Sequence, residues 1–156
     1  MPRGAKYLLL AVLLISFAVF APGPASAGHP ITVVMDEAYY DDLDGDGSVD
    51  DIVVIYEVIP PDKDSYEEYV IELYCRLTLP SGLSFIYECA VVTTNGCVVT
   101  QYWFDAAHES GWYSYSVYAY SFVSDVDPTS AEIVFDPPSG GEGDPMIDTV
   151  IVELGY

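Results

Sequence analysis

Four aspartates alternate with other residues in one short acidic segment, and this spacing suits the binding of a cation. In the stretch DLDGDGSVD, which starts at Asp42, carboxylates occupy positions 1, 3, 5 and 9, and glycine occupies position 6. Calcium takes about six to eight oxygen ligands, and a tight loop with donors at alternate positions wraps such an ion, the glycine allowing the sharp turn. The backbone carbonyl at position 7, that of Ser48, adds a ligand. Because carboxylates this close repel one another, the spacing favours bound calcium over the alternative, a plain acidic turn.

The loop departs from the EF-hand and resembles another calcium motif. An EF-hand has a bidentate acid at position 12, but here Val53 stands there, inside an apolar run, and an EF-hand helix pair is excluded. The pattern D-x-D-x-D-G-x-x-D before residues 52–54 resembles the calcium loops of integrin-type propeller repeats, the FG-GAP family, which lie in β-hairpins. The resemblance implies four side-chain ligands: Asp42, Asp44, Asp46 and Asp50. It covers about a dozen residues and occurs once, so no propeller is implied.

Apolar and polar residues alternate in short runs along the rest of the chain, and this period is typical of strands with one buried face. Aromatic residues are abundant, and turn residues separate the runs. The predicted strands cover residues 31–40, 52–59, 67–79, 83–91, 97–104, 112–124, 131–135 and 146–154. Asn95-Gly96 predicts a tight hairpin between the fourth and fifth strands, and residues 136–145 predict a flexible spacer before the last. About eight strands and no amphipathic helix predict an all-β sandwich.

The sixth strand carries a more specific resemblance. Gly111 precedes a face formed by Tyr113, Tyr115, Val117 and Ala119. This pattern resembles the sixth strand of immunoglobulin-like and fibronectin-like domains, where a tyrosine near the strand start anchors a corner through its hydroxyl. The resemblance implies an immunoglobulin-like β-sandwich. The opposite face holds four aromatic residues: Trp112, Tyr118, Tyr120 and Phe122. They form either an exposed contact surface or a second buried face under a neighbouring sheet.

Residues 1–27 have the layout of a secretory signal peptide. Two basic residues precede an apolar core over residues 7–20, and the small residues Ala25-Ser26-Ala27 follow. A retained membrane anchor is the alternative, but the apolar run is shorter than the ~20 residues of a spanning helix. We therefore expect cleavage after Ala27, no membrane insertion of the mature chain, and a secreted protein, extracellular or at the cell surface.

The mature chain, residues 28–156, is strongly acidic. Removal of the signal peptide leaves Lys63 and Arg76 as the only Lys and Arg residues, against all 25 Asp and Glu residues. Such a charge repels nucleic acid and anionic membranes, which excludes both as partners, and it attracts cations. The length of residues 28–156 suits one domain, and a hydrophobic fraction of 51% over the whole sequence is enough for a single core.

Three cysteines allow at most one disulfide within the chain, which an oxidising compartment favours. A Cys75–Cys89 bridge fits two neighbouring strands in a register that also places Arg76 opposite Glu88. The alternative is a bridge between Cys89 and Cys97 across the Asn95-Gly96 turn.

Few residues suit catalysis, and no enzymatic activity is expected. His108 lies in a predicted loop without a nucleophile motif. An amino-terminal His29 with His108 would suit copper, but the Ala-x-Ala cleavage site argues against that end. No acid pair stands in a recognisable glycosidase motif. Asp41 and Asp51, which flank the predicted calcium loop, either support the ligands from behind or are merely solvated, and solvation is the favoured prediction.

These features predict a secreted calcium-binding module with a structural or adhesive role at the cell surface or in an extracellular matrix. The spacer before residues 146–154 favours strand exchange, in which that strand completes the sheet of a second copy and builds a filament. The alternative is a carbohydrate-binding module, in which calcium stiffens the scaffold and exposed aromatics stack on a surface polysaccharide.

Overall fold

The structure, a computed structural model, describes residues 30–61, 67–122, 126–136 and 146–154. These residues form eight β-strands: β1 (Thr32–Asp41), β2 (Asp51–Ile59), β3 (Tyr69–Thr78), β4 (Ser84–Thr93), β5 (Cys97–Phe104), β6 (Tyr113–Tyr120), β7 (Thr129–Phe135) and β8 (Met146–Glu153). The predicted signal peptide, His29 and residues 137–145 of the predicted spacer lie outside the described residues. The eight strands correspond to those predicted, with ends that differ by a few residues.

Two antiparallel four-stranded sheets pack face to face, which confirms the predicted β-sandwich. The first sheet has the order β1-β2-β5-β8 and the second the order β4-β3-β6-β7. Odd-numbered residues of β3, β5 and β6 are buried between the sheets, as the alternation predicts. Tyr56, Tyr113 and Tyr115 are among the largest fully buried side chains, and the Tyr115 hydroxyl donates a hydrogen bond to the Gln101 carboxamide.

The chain crosses from one sheet to the other between β4 and β5, so the hairpin predicted at Asn95-Gly96 is wrong. β4 pairs with β3, whereas β5 pairs with β2 and β8. Gly96 does have a positive φ, 108°, as the turn of a tight hairpin would require, but it has this conformation for a different reason. A Cβ there would lie 2.8 Å from the Val58 carbonyl oxygen, so glycine is required where the crossing chain passes close to β2. In constant-type immunoglobulin domains the fourth strand lies beside the fifth, and here it does not.

The predicted register between β3 and β4 is wrong by two residues. Thr78 lies opposite Ser84, and Arg76 does not lie opposite Glu88. The connection between the strands closes with a hydrogen bond of 2.8 Å from the Leu79 N–H to the Leu83 carbonyl. This short turn sets the pairing of the whole hairpin.

The cysteines are free thiols, and the predicted Cys75–Cys89 bridge is absent. The corrected register places Cys89 opposite Leu73 rather than opposite Cys75. Both thiols still face the interior, and a hydrogen bond with Cys89 lowers the pKa of Cys75. The Cys75 sulfur also lies 3.4 Å from the Tyr56 hydroxyl and 3.6 Å from the Gln101 amide nitrogen, so a small polar network occupies the core.

A tyrosine corner, as the resemblance of β6 implies, fixes the loop between β5 and β6. The Tyr113 hydroxyl donates to the Glu109 carbonyl at 3.0 Å and accepts the Glu109 N–H at 2.8 Å. The Glu109 carboxylate accepts the N–H and the hydroxyl of Ser81, both at 2.7 Å. The loop is thereby attached to the turn between β3 and β4.

The two edges of the first sheet differ. β1 carries a register irregularity between Met35 and Glu37, whereas β8 pairs with β5 without interruption from Cys97↔Glu153 to Phe104↔Met146. No helix of the length and apolar character that a membrane crossing requires is found in the described ranges.

Candidate metal centre

Two loops meet at one end of the sandwich. The β1–β2 hairpin is paired as far as Asp41↔Asp51, so its loop, residues 42–50, projects beyond the first sheet. The pairing of Ile52 with Trp103 brings the end of β5 beside the start of β2. The loop that follows β5 therefore lies against the acidic loop, although the two are far apart in the sequence.

Asp51 connects these loops through its side chain, and the prediction that it is solvated is wrong. It is fully buried. One carboxylate oxygen accepts the N–H groups of Leu43 at 2.6 Å and Asp44 at 3.3 Å. The other accepts the N–H of Asp105 at 2.9 Å. Asp51 is the first residue of β2 and directly follows the acidic loop, so its side chain lies close to the loop backbone. Three backbone N–H groups stabilise its negative charge. Asp41, its partner in the register, is exposed as predicted.

Asp50 is buried without a hydrogen-bond partner for its carboxylate. It is 1% exposed, and neither side-chain oxygen has a partner. Its backbone carbonyl, in contrast, accepts the N–H groups of Ala106 at 3.0 Å and Ala107 at 2.9 Å. Burial, followed by the charges of Asp46 and Asp105, raises the pKa of Asp50. A buried carboxylate that no donor satisfies is rare in folded proteins and costly.

The three aspartates at loop positions 1, 3 and 5 come together as predicted. One carboxylate oxygen each of Asp42, Asp44 and Asp46 lies within 4.8 Å of the others. Their side chains also accept loop N–H groups: Gly45 donates to Asp42 at 2.8 Å and Ser48 donates to Asp46 at 2.7 Å. These bonds shape the loop so that its carboxylates converge.

The predicted fourth ligand, Asp50, belongs to a different group. Its carboxylate lies within 4.8 Å of oxygens of Asp51 and Asp105, rather than with the three loop aspartates. The two groups are close enough to interact. The charge of Asp46 raises the pKa of Asp50, and the charges of Asp44 and Asp46 raise the pKa of Asp105. Partial desolvation, followed by these charges and that of Asp51, raises the pKa of Asp105.

Asp105 is a site residue that sequence reasoning missed. It lies 54 residues after Asp51 and belongs to no motif. The one local feature that distinguishes it is a left-handed backbone with φ of 52°, which aspartate adopts more readily than most residues. That conformation ends β5 and turns the chain towards the acidic loop.

Within the described ranges, neither Lys nor Arg neutralises these carboxylates. Arg76 is the single Lys or Arg in the described ranges, and it lies over the Tyr74 ring in the second sheet, 5.8 Å from the centroid. The charge of His108 makes a small opposing contribution, which lowers the pKa of Asp105. All the converging ligands are oxygens, which suit hard cations such as calcium and magnesium rather than copper or zinc.

The four aromatic residues opposite the core face of β6 form two separate features rather than one surface. Tyr118 is 44% exposed and Phe122 82% exposed, so this face is not covered by another sheet. The Tyr120 ring connects them, with its centroid 5.5 Å from that of Tyr118 and 4.9 Å from that of Phe122. Trp112, 66% exposed, stands six positions before Tyr118, roughly 20 Å away along an extended strand.

A shallow cavity adjoins this aromatic row. It is lined by Tyr74, Arg76, Ser116, Val117, Tyr118 and Ser130. The aromatic row and the acidic end are thus the two features of the described surface with distinctive chemistry. No protein-family model, curated protein or solved structure matches the chain.

Proposed function

We propose that the protein is a calcium-binding β-sandwich with a structural or adhesive role outside the cell, and that calcium fastens the β1–β2 loop to the β5–β6 loop. The observation that supports this most directly is the buried Asp50 carboxylate, which has no hydrogen-bond partner and lies among other carboxylates. A cation supplies the interaction that this charge lacks. Without one, mutual repulsion opposes the close approach of the two loops.

Calcium is the preferred cation because of the compartment and the ligands. The proposed export of the chain exposes it to millimolar calcium, which occupies even a weak site. An ion that binds only the folded state stabilises it by about 2.7 kcal/mol when its concentration is a hundred times Kd. The proposed role of the ion is therefore structural: it holds one end of the sandwich closed.

Calorimetric unfolding of the purified protein tests calcium binding. We expect the midpoint Tm to rise by about 5 °C or more between chelator and excess calcium. Asp44→Asn keeps the side-chain acceptor for the Asp46 N–H but removes a charge, and should lose much of this shift. A Tm that is the same with calcium and with chelator contradicts the proposal.

The structural or adhesive role is proposed from the exposed β8 strand. Among the described strands, β8 lies at a sheet edge and pairs with β5 alone, and it exposes three consecutive apolar side chains: Val150, Ile151 and Val152. Such an edge invites pairing with another chain. We propose that β8 is exchanged between copies, which gives filaments. Light scattering at high protein and calcium concentrations should show growth, and growth should fail when Val150 and Val152 are replaced by lysine. A monomer throughout contradicts it.

A second candidate function is carbohydrate binding, which the row of Tyr118, Tyr120 and Phe122 favours. Adjoining exposed rings offer a platform on which sugar rings stack. Retention of the protein on insoluble polysaccharides should then be lost in Tyr118→Ala and kept in Tyr40→Ala, an exposed tyrosine of the other sheet. Because Trp112 lies roughly 20 Å from Tyr118, Trp112→Ala should have the smaller effect. Equal retention of all variants contradicts this candidate.

A further inference from the structure

The carboxylates of Asp50, Asp51 and Asp105 form a second group beside the loop aspartates. One oxygen of each lies within 4.8 Å of the others. Oxygens that share a calcium ion at 2.3–2.6 Å lie at most about 5 Å apart, so this group satisfies the distance condition of a common ion. The group formed by Asp42, Asp44 and Asp46 satisfies it separately.

The state of each side chain distinguishes the second group from a chance cluster of surface acids. Asp50 is buried, and both of its oxygens are free to bind. Asp51 is also buried, and its oxygens accept three backbone N–H groups, which orient the carboxylate and leave one lone pair unused, on the oxygen that accepts the Asp105 N–H. Asp105 donates its own N–H to Asp51 and contributes its carboxylate from the other loop. The fold thus fixes the two buried carboxylates, those of Asp50 and Asp51.

Charge leads to the same conclusion. Six carboxylates converge in the two groups, and the part of the chain that the structure describes places no Lys or Arg among them. One divalent ion offsets two of the six charges and leaves the other group with uncompensated repulsion. An ion in each group offsets four, and each ion then has a carboxylate set of its own.

We propose that the protein binds two divalent cations, the second of them held by Asp50, Asp51 and Asp105 where the acidic loop meets the end of β5. This inference rests on the proposed calcium-binding function and extends it from one ion to two. Asp50 binds with both oxygens, Asp51 and Asp105 contribute one each, and water completes the coordination. The second ion binds residues of both loops.

Titration calorimetry of the full chain with calcium chloride, after removal of metal with a chelator, measures the number of ions per chain. We expect two for the unaltered protein and one for Asp105→Asn. Asparagine and glycine both accept positive φ, so Asp105→Gly removes the same carboxylate without backbone strain and should also bind one. Asp36→Asn, an exposed position of β1, is the matched control and should bind two. Circular dichroism establishes that each variant is folded.

Asp44→Asn separates the two sites. It should reduce binding to the loop ion and leave the ion at Asp105. A single ion in the unaltered protein, or two ions retained in both Asp105 variants, overturns the second site and leaves the proposed function standing. Loss of all binding in every one of these site variants indicates one shared ion and also overturns it. Absence of calcium binding in the unaltered protein overturns both proposals.

Discussion

The carboxylate of Asp51 accepts the backbone N–H of Asp105 at 2.9 Å, across two loops that lie 54 residues apart in the chain. The same carboxylate accepts the N–H groups of Leu43 and Asp44 from the acidic loop. A single buried side chain therefore connects both halves of the candidate metal centre. Asp51, whose carboxylate shapes the site through these bonds, and Asp50, whose carboxylate makes none, should therefore respond differently to substitution.

Asp51→Ala should destabilise the fold whether or not calcium is present. The substitution leaves three part-buried backbone donors without their charged acceptor, and we expect the free energy of unfolding to fall by about 3 kcal/mol. Urea denaturation in calcium and in chelator measures it. Asp41→Ala, at the opposing exposed position, is the control and should change the value by less than about 0.5 kcal/mol. A loss that appears only in calcium would show that Asp51 acts as a ligand alone.

Asp50→Asn should change stability in opposite directions with and without the ion. In chelator, the neutral amide removes a buried charge that has no partner, and the free energy of unfolding should rise by about 1 kcal/mol. In calcium, the variant lacks a ligand and should be less stable than the unaltered protein. Paired urea titrations in the two buffers test this reversal. Destabilisation of similar size in both buffers would mean that Asp50 has a partner of another kind.

Gly96→Ala should be far more damaging than Gly82→Ala. Both glycines have positive φ, so both substitutions strain the backbone by about 1 kcal/mol. Only at Gly96 would the new Cβ also lie 2.8 Å from the Val58 carbonyl oxygen, whereas nothing lies within 4 Å at Gly82. We expect Gly96→Ala to lower the free energy of unfolding by about 3 kcal/mol or more, measured by denaturation. Equal costs would mean that the crossing chain moves away from β2 freely.

Cys97 should contribute to the loss of stability at alkaline pH. Burial, followed by the charge of Glu153, raises the pKa of its thiol to about 11. Because the unfolded thiol loses its proton near pH 8.5, the folded state keeps a proton that the unfolded state has lost. This contribution is complete below about pH 8.5 and is lost as the pH rises towards 11. In Cys97→Ala, stability should therefore decline less steeply over that range. An unchanged slope would contradict the shift.

The sequence predicts the strands and their buried faces well, because alternation reports directly which residues point inward. Alternation does not determine register, because sliding β4 by two residues against β3 keeps every side chain on the same face. A pairing of Cys75 with Cys89 therefore satisfies the alternation as well as the observed pairing does. The positive φ of Gly96 was predictable, but which sheet the chain enters next depends on packing between distant strands. Asp105 shares no local motif with the acidic loop, and only the pairing of β2 with β5 brings it there.

The irregularity of β1 near Met35 would affect how copies of this protein associate under the proposed self-assembly. A bulged edge resists the addition of another strand, whereas the smooth pairing of β8 with β5 leaves its outer side ready for one. The first sheet thus has one edge, β8, that can readily pair with another strand. When two molecules pair β8 with β8, the free edge of each β8 strand is occupied, and the result is a closed dimer. Indefinite growth through this sheet requires a strand to leave its own molecule, and a particle that stops at twice the monomer mass would reveal the closed arrangement.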